Sequence, residues 1–393
     1  MNTNKTEKAV IVASFFIFLL AGSLLANMVL SKQAEDTLVI SHDIDLGSAF
    51  DTILDVTVTD KDGTVKATRQ KVGDLVLTNF AYIIGGVFKN PAALGGSVEA
   101  ITGVKQSTGS SVYPTLKSTT TTSGGIWGLY PTSYYRRTYL AVGTGTNTPS
   151  VSDYVLQTEV ESKTMIAADG SYASGNVTFY GAVTMTASRT ITEAGIYAYM
   201  YIGSGIYILL LRDTFAGISV VSTDTVTVSY TLMISAGFTN NFGTLLAAFF
   251  PRYATSTMTA QFQDTAGSSF TTNTIGDAVN NCLFDTNAAG PWACARIGTS
   301  STAPSLSDYE LVSPVESAVI AAEPITEASI NFSVSSTIQV TADRTLYEAG
   351  FYTRGKDSSG SDRLIMLIRD TFDATLVSNG RQVTVIFKVY FNV

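Results

Sequence analysis

The chain has 393 residues, 45% of them hydrophobic and only 14% charged, against about 25% charged in an average soluble protein. Its 24 Lys and Arg are outnumbered by 32 Asp and Glu, so there is no basic surplus to neutralise phosphates, which argues against nucleic acid as a partner. Twenty Phe and 19 Tyr supply material for packed cores, which argues against disorder, and the polarity comes from Ser, Thr, Gly and Tyr more than from ions.

Residues 9–30 form 22 consecutive positions without a charge, preceded by Lys5 and Lys8 and followed by Lys32, Glu35 and Asp36. At about 1.5 Å per residue such a segment covers the roughly 30 Å hydrocarbon core of a bilayer. The two lysines ahead of it point to a cytoplasmic N-terminus and an exported remainder. Three readings share that outcome: an uncleaved single-pass anchor, a secretion signal with small residues at Ala21-Gly22-Ser23, or a leader like that of archaeal pilins, processed at Lys8-Ala9. Residues 1–36 are therefore assigned to a transmembrane anchor or signal. The rest is expected on the extracellular face of a membrane, at a cell or virion surface.

Downstream, Ile40, His42, Ile44 and Leu46 alternate with Ser41, Asp43 and Asp45, which predicts a strand with one dry and one acidic face. Leu54, Val56 and Val58 repeat the alternation before Asp60-Lys61-Asp62-Gly63, a hairpin turn that lacks the distal Glu of a calcium loop. Phe80, Ile83, Ile84, Val87 and Phe88 then follow helical spacing and stop at Asn90-Pro91. The same pattern returns as Phe242, Leu245, Leu246, Phe249 and Phe250 before Pro251, each position displaced by 162. Each predicts a short helix capping a sheet core.

Residues 126–139 concentrate Trp127, Tyr130, Tyr134, Tyr135 and Arg136, the residue types that anchor interfaces and stack on sugars. They are read as either a packed seam or a ligand face. Beyond them the chain repeats itself. Gly143-Thr144, Pro149-Ser150, Ser152-Asp153-Tyr154 and Glu193-Ala194-Gly195 recur as Gly298-Thr299, Pro304-Ser305, Ser307-Asp308-Tyr309 and Glu348-Ala349-Gly350, all displaced by 155. Arg212-Asp213-Thr214-Phe215 returns as Arg369-Asp370-Thr371-Phe372, displaced by 157, so one short loop differs by two residues. Residues kept in both copies serve the shared fold, and residues unique to one are better candidates for function.

Each copy closes on an alternating strand, Val226, Val228, Tyr230, Leu232 and Ile234 in one and Val383, Val385, Phe387, Val389 and Phe391 in the other. Short alternating segments between Gly, Ser, Thr and Pro turns predict a mainly β protein: two tandem antiparallel β-sandwich domains, 37–236 and 237–393, each with one short helix. Only residues 235–238 join strand to second helix, so the domains are expected in a fixed relation.

The search for chemistry is mostly negative. One histidine, His42, leaves little room for triads or metal sites, and Gly143-x-Gly145 leads into a turn, not a phosphate loop. Glu193/Glu348 and Asp213/Asp370, with Arg189/Arg344 and Arg212/Arg369, occur in both copies and are read as structural ion pairs or turn hydrogen bonds. No catalytic residue, metal or cofactor is assigned, and no enzyme is expected. Cys282 and Cys294, twelve apart and absent from the first copy, are read as a disulfide worth about 3 kcal/mol in an oxidising compartment, with two reduced buried thiols as the alternative. Asn176 and Asn331 head glycosylation sequons. Around Tyr199, Tyr201 and Ile202 the first copy presents an apolar tip suited to a subunit contact, where the second has the polar, charged loop 353–363.

The repeated signature, Gly-Thr-x-x-x-x-Pro-Ser-x-Ser-Asp-Tyr, then Glu-Ala-Gly-(Ile/Phe)-Tyr, then Arg-Asp-Thr-Phe, resembles a β-domain of virion structural and tail-fibre-like proteins and of surface proteins of thermophilic archaea and their viruses. The resemblance implies a structural, surface-exposed role and brings no catalytic residues with it. The expectation is a membrane-anchored structural subunit of a spike, turret or surface filament, partnered by the membrane through 9–30, by copies of itself and by other coat proteins. The alternative is an adhesin that binds a host glycan or receptor through 126–139. In one variant of the structural reading, the strand at 37–46 leaves its own domain and completes a sheet in a neighbour.

Overall fold

The computed structural model describes residues 37–45, 50–73, 75–87, 97–99, 104–112, 115–117, 137–201, 205–234, 237–247, 250, 259–273, 293–319, 332–357 and 361–390. The protein is mainly β, with two short helices among the described residues and several antiparallel sheets. The first copy runs through β1 (Thr37–Asp45), β2 (Phe50–Thr59), β3 (Val65–Val72), β4 (Leu75–Val76), α1 (Thr78–Val87), β5 (Ser97–Glu99), β6 (Val104–Lys105), β7 (Ser111–Val112), β8 (Thr115–Lys117), β9 (Arg137–Gly143), β10 (Thr164–Met165), β11 (Ser171–Ala173), β12 (Asn176–Thr184), β13 (Arg189–Tyr201), β14 (Gly205–Val220) and β15 (Thr225–Ile234). The second follows with α2 (Asn240–Ala247), β16 (Thr259–Gln263), β17 (Ser269–Asn273), β18 (Ala293–Gly298), β19 (Pro314–Val319), β20 (Phe332–Gln339), β21 (Arg344–Lys356), β22 (Asp362–Val377) and β23 (Gln382–Tyr390).

Two five-stranded sheets, β10-β9-β13-β14-β4 and β11-β12-β15-β2-β3, hold the first copy, and the second has β19-β18-β21-β22 and β1-β23-β20. The alternation read from sequence puts Leu54, Val56 and Val58 of β2 and all five apolar positions of β15 inside. From the other sheet Leu140, Val142, Ile196 and Ile208 join them in one buried cluster. The hairpin turn forms at Asp60, whose Oδ1 accepts the N–H groups of Asp62 and Thr64, with Gly63 at a φ of 84°.

The two-residue slip of the repeat lies in one hairpin. β13 and β21 have 13 residues each, and β14 and β22 have 16 each. The connection between them is residues 202–204 in the first copy and 357–361 in the second. The stretch 353–363, read from sequence as a polar loop, is thus strand as far as Lys356 and again from Asp362. Within it Arg363 bonds Asp357 at 2.8 Å and, from outside the segment, Asp264 at 2.9 Å, and both carboxylates are buried.

Each helix is docked by one asparagine in its first turn. Asn79 Nδ2 donates to Lys105 O and Leu209 O while its Oδ1 accepts from Lys105 N. Asn241 makes the equivalent bonds to Gln263 O, Met366 O and Gln263 N. Both asparagines pay their own burial by satisfying backbone groups that packing would otherwise strand.

The two copies share one continuous core. α2 packs on β22 and β16 of its own copy and on β11 and β12 of the other. Phe250, read from sequence as the last position of the second helix face, lies beyond the end of α2 at Ala247. Its fully buried ring stacks on Phe179 at 3.9 Å between centroids and meets Phe80 at 5.8 Å, both in the first copy. Gly170 N–H donates to Phe250 O, and Tyr172 Oη–H donates to Asn240 Oδ1 at 2.6 Å. A Cβ at Gly243 would fall 2.1 Å from the Tyr172 ring, so the helix backbone itself lies against that side chain.

Residues 37–45, counted with the first copy from sequence, pair instead with the second. β1 runs parallel to β23 over nine consecutive positions, from Thr37 opposite Gln382 to Asp45 opposite Tyr390. The physical reason is an uncovered edge, developed below.

Candidate functional site

The residues that sequence offers most readily for chemistry form a buried knot, present twice. Glu193 is fully buried, and its Oε1 accepts the N–H groups of Gly145 and Thr158 at 3.0 and 2.7 Å. Its Oε2 accepts Gln157 N–H at 3.1 Å and two guanidinium N–H groups of Arg212. Arg212, also buried, reaches on to Asp153 Oδ2 at 2.6 Å and Asn147 O at 3.2 Å. The second copy matches it with Glu348, which accepts from Ser313, Val312 and Arg369, and with Arg369 bonded to Asp308 at 2.6 Å. The Asp of Ser-Asp-Tyr thus completes each ion pair, and the neighbouring Asp213 and Asp370 do not. Desolvation alone would lower the Arg212 pKa, but its two carboxylate partners override it and raise the value above the ordinary one.

The rest of the signature serves the same knot. A Cβ on Gly143 or Gly298 would come within 2.4 Å of the glutamate Oε1, so only glycine leaves room for the carboxylate. A Cβ on Gly195 would meet Leu156 Cδ2 at 2.7 Å. Tyr197 Oη accepts Leu156 N–H at 2.9 Å, as Tyr352 Oη does Leu311 N–H at 3.2 Å. Tyr154 and Tyr309 lie against the turn glycines Gly109 and Gly267. The buried carboxylates and guanidinium groups of the knot are thus held by partners within their own fold. Arg189, the other duplicated arginine, reaches Glu161 at 3.9 Å.

Features outside the repeated signature are of three kinds. On the face of the β9-β13-β14 sheet turned away from the shared core, Tyr139, Tyr199 and Tyr207 form a half-exposed aromatic surface. Tyr199 and Tyr207 lie 4.9 Å apart, Tyr139 and Tyr207 5.3 Å. Lys163 Nζ sits over Tyr197 and Tyr207, 4.6 and 5.0 Å from the ring centroids, while paired to Glu159 at 2.7 Å. Burial, then the neighbouring Tyr139 and Tyr199, raises the Tyr207 hydroxyl above its usual pKa. The matching positions of the second copy are Cys294, Arg354 and Leu364, so the tyrosine surface is not part of the common fold.

The second kind is a cleft of about 760 Å³ at the junction, lined with hydroxyl, carboxamide and carboxylate groups from both copies, among them Tyr172, Asn240, Thr244, Gln261, Gln263 and Asp308. The third is the β1–β23 pairing.

Among the singled-out residues, Tyr199 belongs to this tyrosine surface, two positions before the end of β13. Tyr201 ends β13 opposite Gly205. Asn176 opens β12, half-buried, in register with Ala173 and Met233. Cys294 stands in β18, half-buried against a cluster of Leu311, Tyr352 and Met366. Trp127, Tyr130, Tyr134, Tyr135, Arg136, Ile202, Asn331, Cys282 and the apolar segment 9–30 lie outside the described residues. Among the described residues no helix is long and apolar enough to cross a membrane, and no group of three or more His, Cys, Asp or Glu side chains is arranged to hold a metal. Tyr139 closes the aromatic segment 126–139 read from sequence, whereas Tyr207 has no such signal beyond the period-two spacing of Tyr197, Tyr199 and Tyr201, which marks the face on which both fall. Comparison with protein-family models, with curated proteins and with solved structures finds no match for this chain.

Proposed function

We propose that this chain is an exported structural subunit, tethered through residues 9–30 and built of two tandem β-sandwich domains, which assembles with copies of itself into a surface projection or filament of a cell or virion. The observation that carries the reading is the junction: Phe250 of the second copy is buried against Phe179 of the first, so the two copies are built around one shared core, the arrangement expected of a stiff unit. A scaffold needs such stiffness, and the Glu193–Arg212–Asp153 knot, like its second-copy counterpart, spends its charges on holding its own fold. The resemblance of the repeated signature to surface and virion β-domains points the same way. Electron microscopy of the source membranes or particles, labelled with an antibody to residues 237–393, is the test. Labelled projections are expected; label confined to dispersed, unassembled chains would overturn the reading.

A second reading is favoured by the junction cleft and the tyrosine surface, whose hydroxyls, amides and rings suit a carbohydrate. Glycan-array binding lost on Tyr172→Ala, Tyr207→Ala or Trp127→Ala would support it. The absence of any binding by the exported region would remove it.

A further inference from the structure

Resting on the structural-subunit reading, we propose that β1 is an exchanged strand: in the assembled state residues 37–45 of one copy complete the sheet of β23 in the next copy, linking chains head to tail.

The argument begins with an edge the second copy cannot cover from its own repeat. In the first copy β15 is flanked by β12 on one side and by β2 on the other, and β2 comes from the hairpin that precedes α1. The matching stretch before α2 is residues 235–239, too short for any hairpin. β23 therefore has β20 on one side and would expose a nine-residue row of backbone donors and acceptors on the other. Such an edge is a template for another strand. β1 fills it.

The register fits this edge closely. Positions 38, 40, 42 and 44 stand opposite Val383, Val385, Phe387 and Val389, all buried. Asp43 is the register partner of Lys388, opposite charges on the other face. A slip of one residue would carry Asp43 and Asp45 to the core side, so the pairing is specific.

Among the described residues the extensive packing of β1 is with β23 alone. The next strand, β2, belongs wholly to the first copy's sheet. Residues 46–49 are the only link between the two. The same contacts form whether the strand comes from its own chain or from a neighbour, which is the condition for low-cost swapping. A short tether favours the closed form in dilute solution, because the local concentration it imposes is in the millimolar range. Copies crowded on one membrane by residues 9–30 move the balance toward exchange. Donor and acceptor lie at opposite ends of the chain, before the first copy and at the last strand of the second. An interface between two different patches that does not close on itself generates an open filament.

The test uses the full chain in its native assembly. Ser41→Cys and Ile386→Cys, register partners on the outward face, are placed on separate co-expressed chains, with Val39→Cys and Thr384→Cys as a second outward pair. After mild oxidation, non-reducing gels are read against wild type, which accounts for the native thiols. Mixed dimers between the two single variants are expected, on the order of ten-fold more abundant in assemblies than in dilute detergent-dispersed chains. A chain carrying both cysteines should give a ladder of covalent oligomers. Intact assemblies in which the double variant closes only on itself, or in which neither pair cross-links, overturn strand exchange and leave the subunit reading standing. If wild type does not assemble, the subunit reading itself fails.

Discussion

Removing Glu193 by Glu193→Ala tests the claim that the repeated signature is a fold device. In the native protein its carboxylate accepts three backbone N–H groups and two from Arg212, and both side chains are almost completely shielded. The substitution leaves Arg212 with Asp153 and one carbonyl, and leaves the N–H groups of Gly145, Gln157 and Thr158 without their acceptor. Breaking a buried ion pair from one side costs about 3–5 kcal/mol, and stranded donors act in the same direction. At roughly 2–4 °C per kcal/mol for a unit of this size, Tm should fall by roughly 6–20 °C. Removing both charges with Glu193→Leu and Arg212→Met should cost less than Glu193→Ala alone, because no uncompensated guanidinium remains. Urea denaturation followed by tyrosine fluorescence and far-UV circular dichroism supplies the measurement. A single variant within about 1 kcal/mol of wild type, or a double variant worse than the single, would refute the reasoning.

Other predictions rest on separate features. Phe250→Ala should destabilise by about 3–5 kcal/mol, the usual cost of truncating a buried aromatic, and should split the single unfolding transition into two; calorimetry shows whether it does. Gly143→Ala and Gly298→Ala should each weaken the protein as their glutamate variants do, whereas Gly380→Ala, in a turn with open space around it, should cost only the strain of its φ of 84°. Asp224, bonded by Lys66 and by Val221 N–H, has its pKa held below the ordinary 3.8. Its contribution is therefore present above about pH 4 and lost as pH falls through the folded-state value. Asp224→Asn should be less stable than wild type at pH 7, and the gap should close on acidification. Burial raises the hydroxyls of Tyr172, Tyr197, Tyr207 and Tyr352 above 10.0, so their share of stability is complete below pH 10 and lost above it. Absorbance titration of the folded protein should show these tyrosines ionising after the rest, and a single step at pH 10 would contradict the assignment.

How far the sequence could be read depended on whether a signal was local. The helices were visible because Phe80, Ile83 and Ile84 repeat every three or four residues, and β15 and β23 because their apolar residues alternate strictly. The duplication marked Glu193 and Arg212 among the structural charges, and even located the loop that differs. It did not identify Asp153 as the third member, since Asp213 sits beside the arginine in sequence while Asp153 reaches it only across the fold. Charge misled at 353–363, where ion pairs to Asp264 and Asp357 let a polar segment continue a hairpin. Phe250 looked like one more helix-face residue, because nothing local distinguishes a ring in its own core from a ring in a neighbour's. For β1 the alternation announced a strand and its two faces, but the partner lies some 345 residues away at β23, a pairing no window of sequence contains.

Parallel alignment of β1 with β23 also has a mechanical meaning. A pull transmitted through the residues before Thr37 and resisted at the far end of β23, near Tyr390, acts on opposite ends of two strands that run the same way. The load then falls along the strands, and the slanted hydrogen bonds of all nine pairs share it at once. Were the strands antiparallel, the same pull would open them one bond at a time, like a zip. The direction of one strand thus decides whether this joint tears or holds under tension.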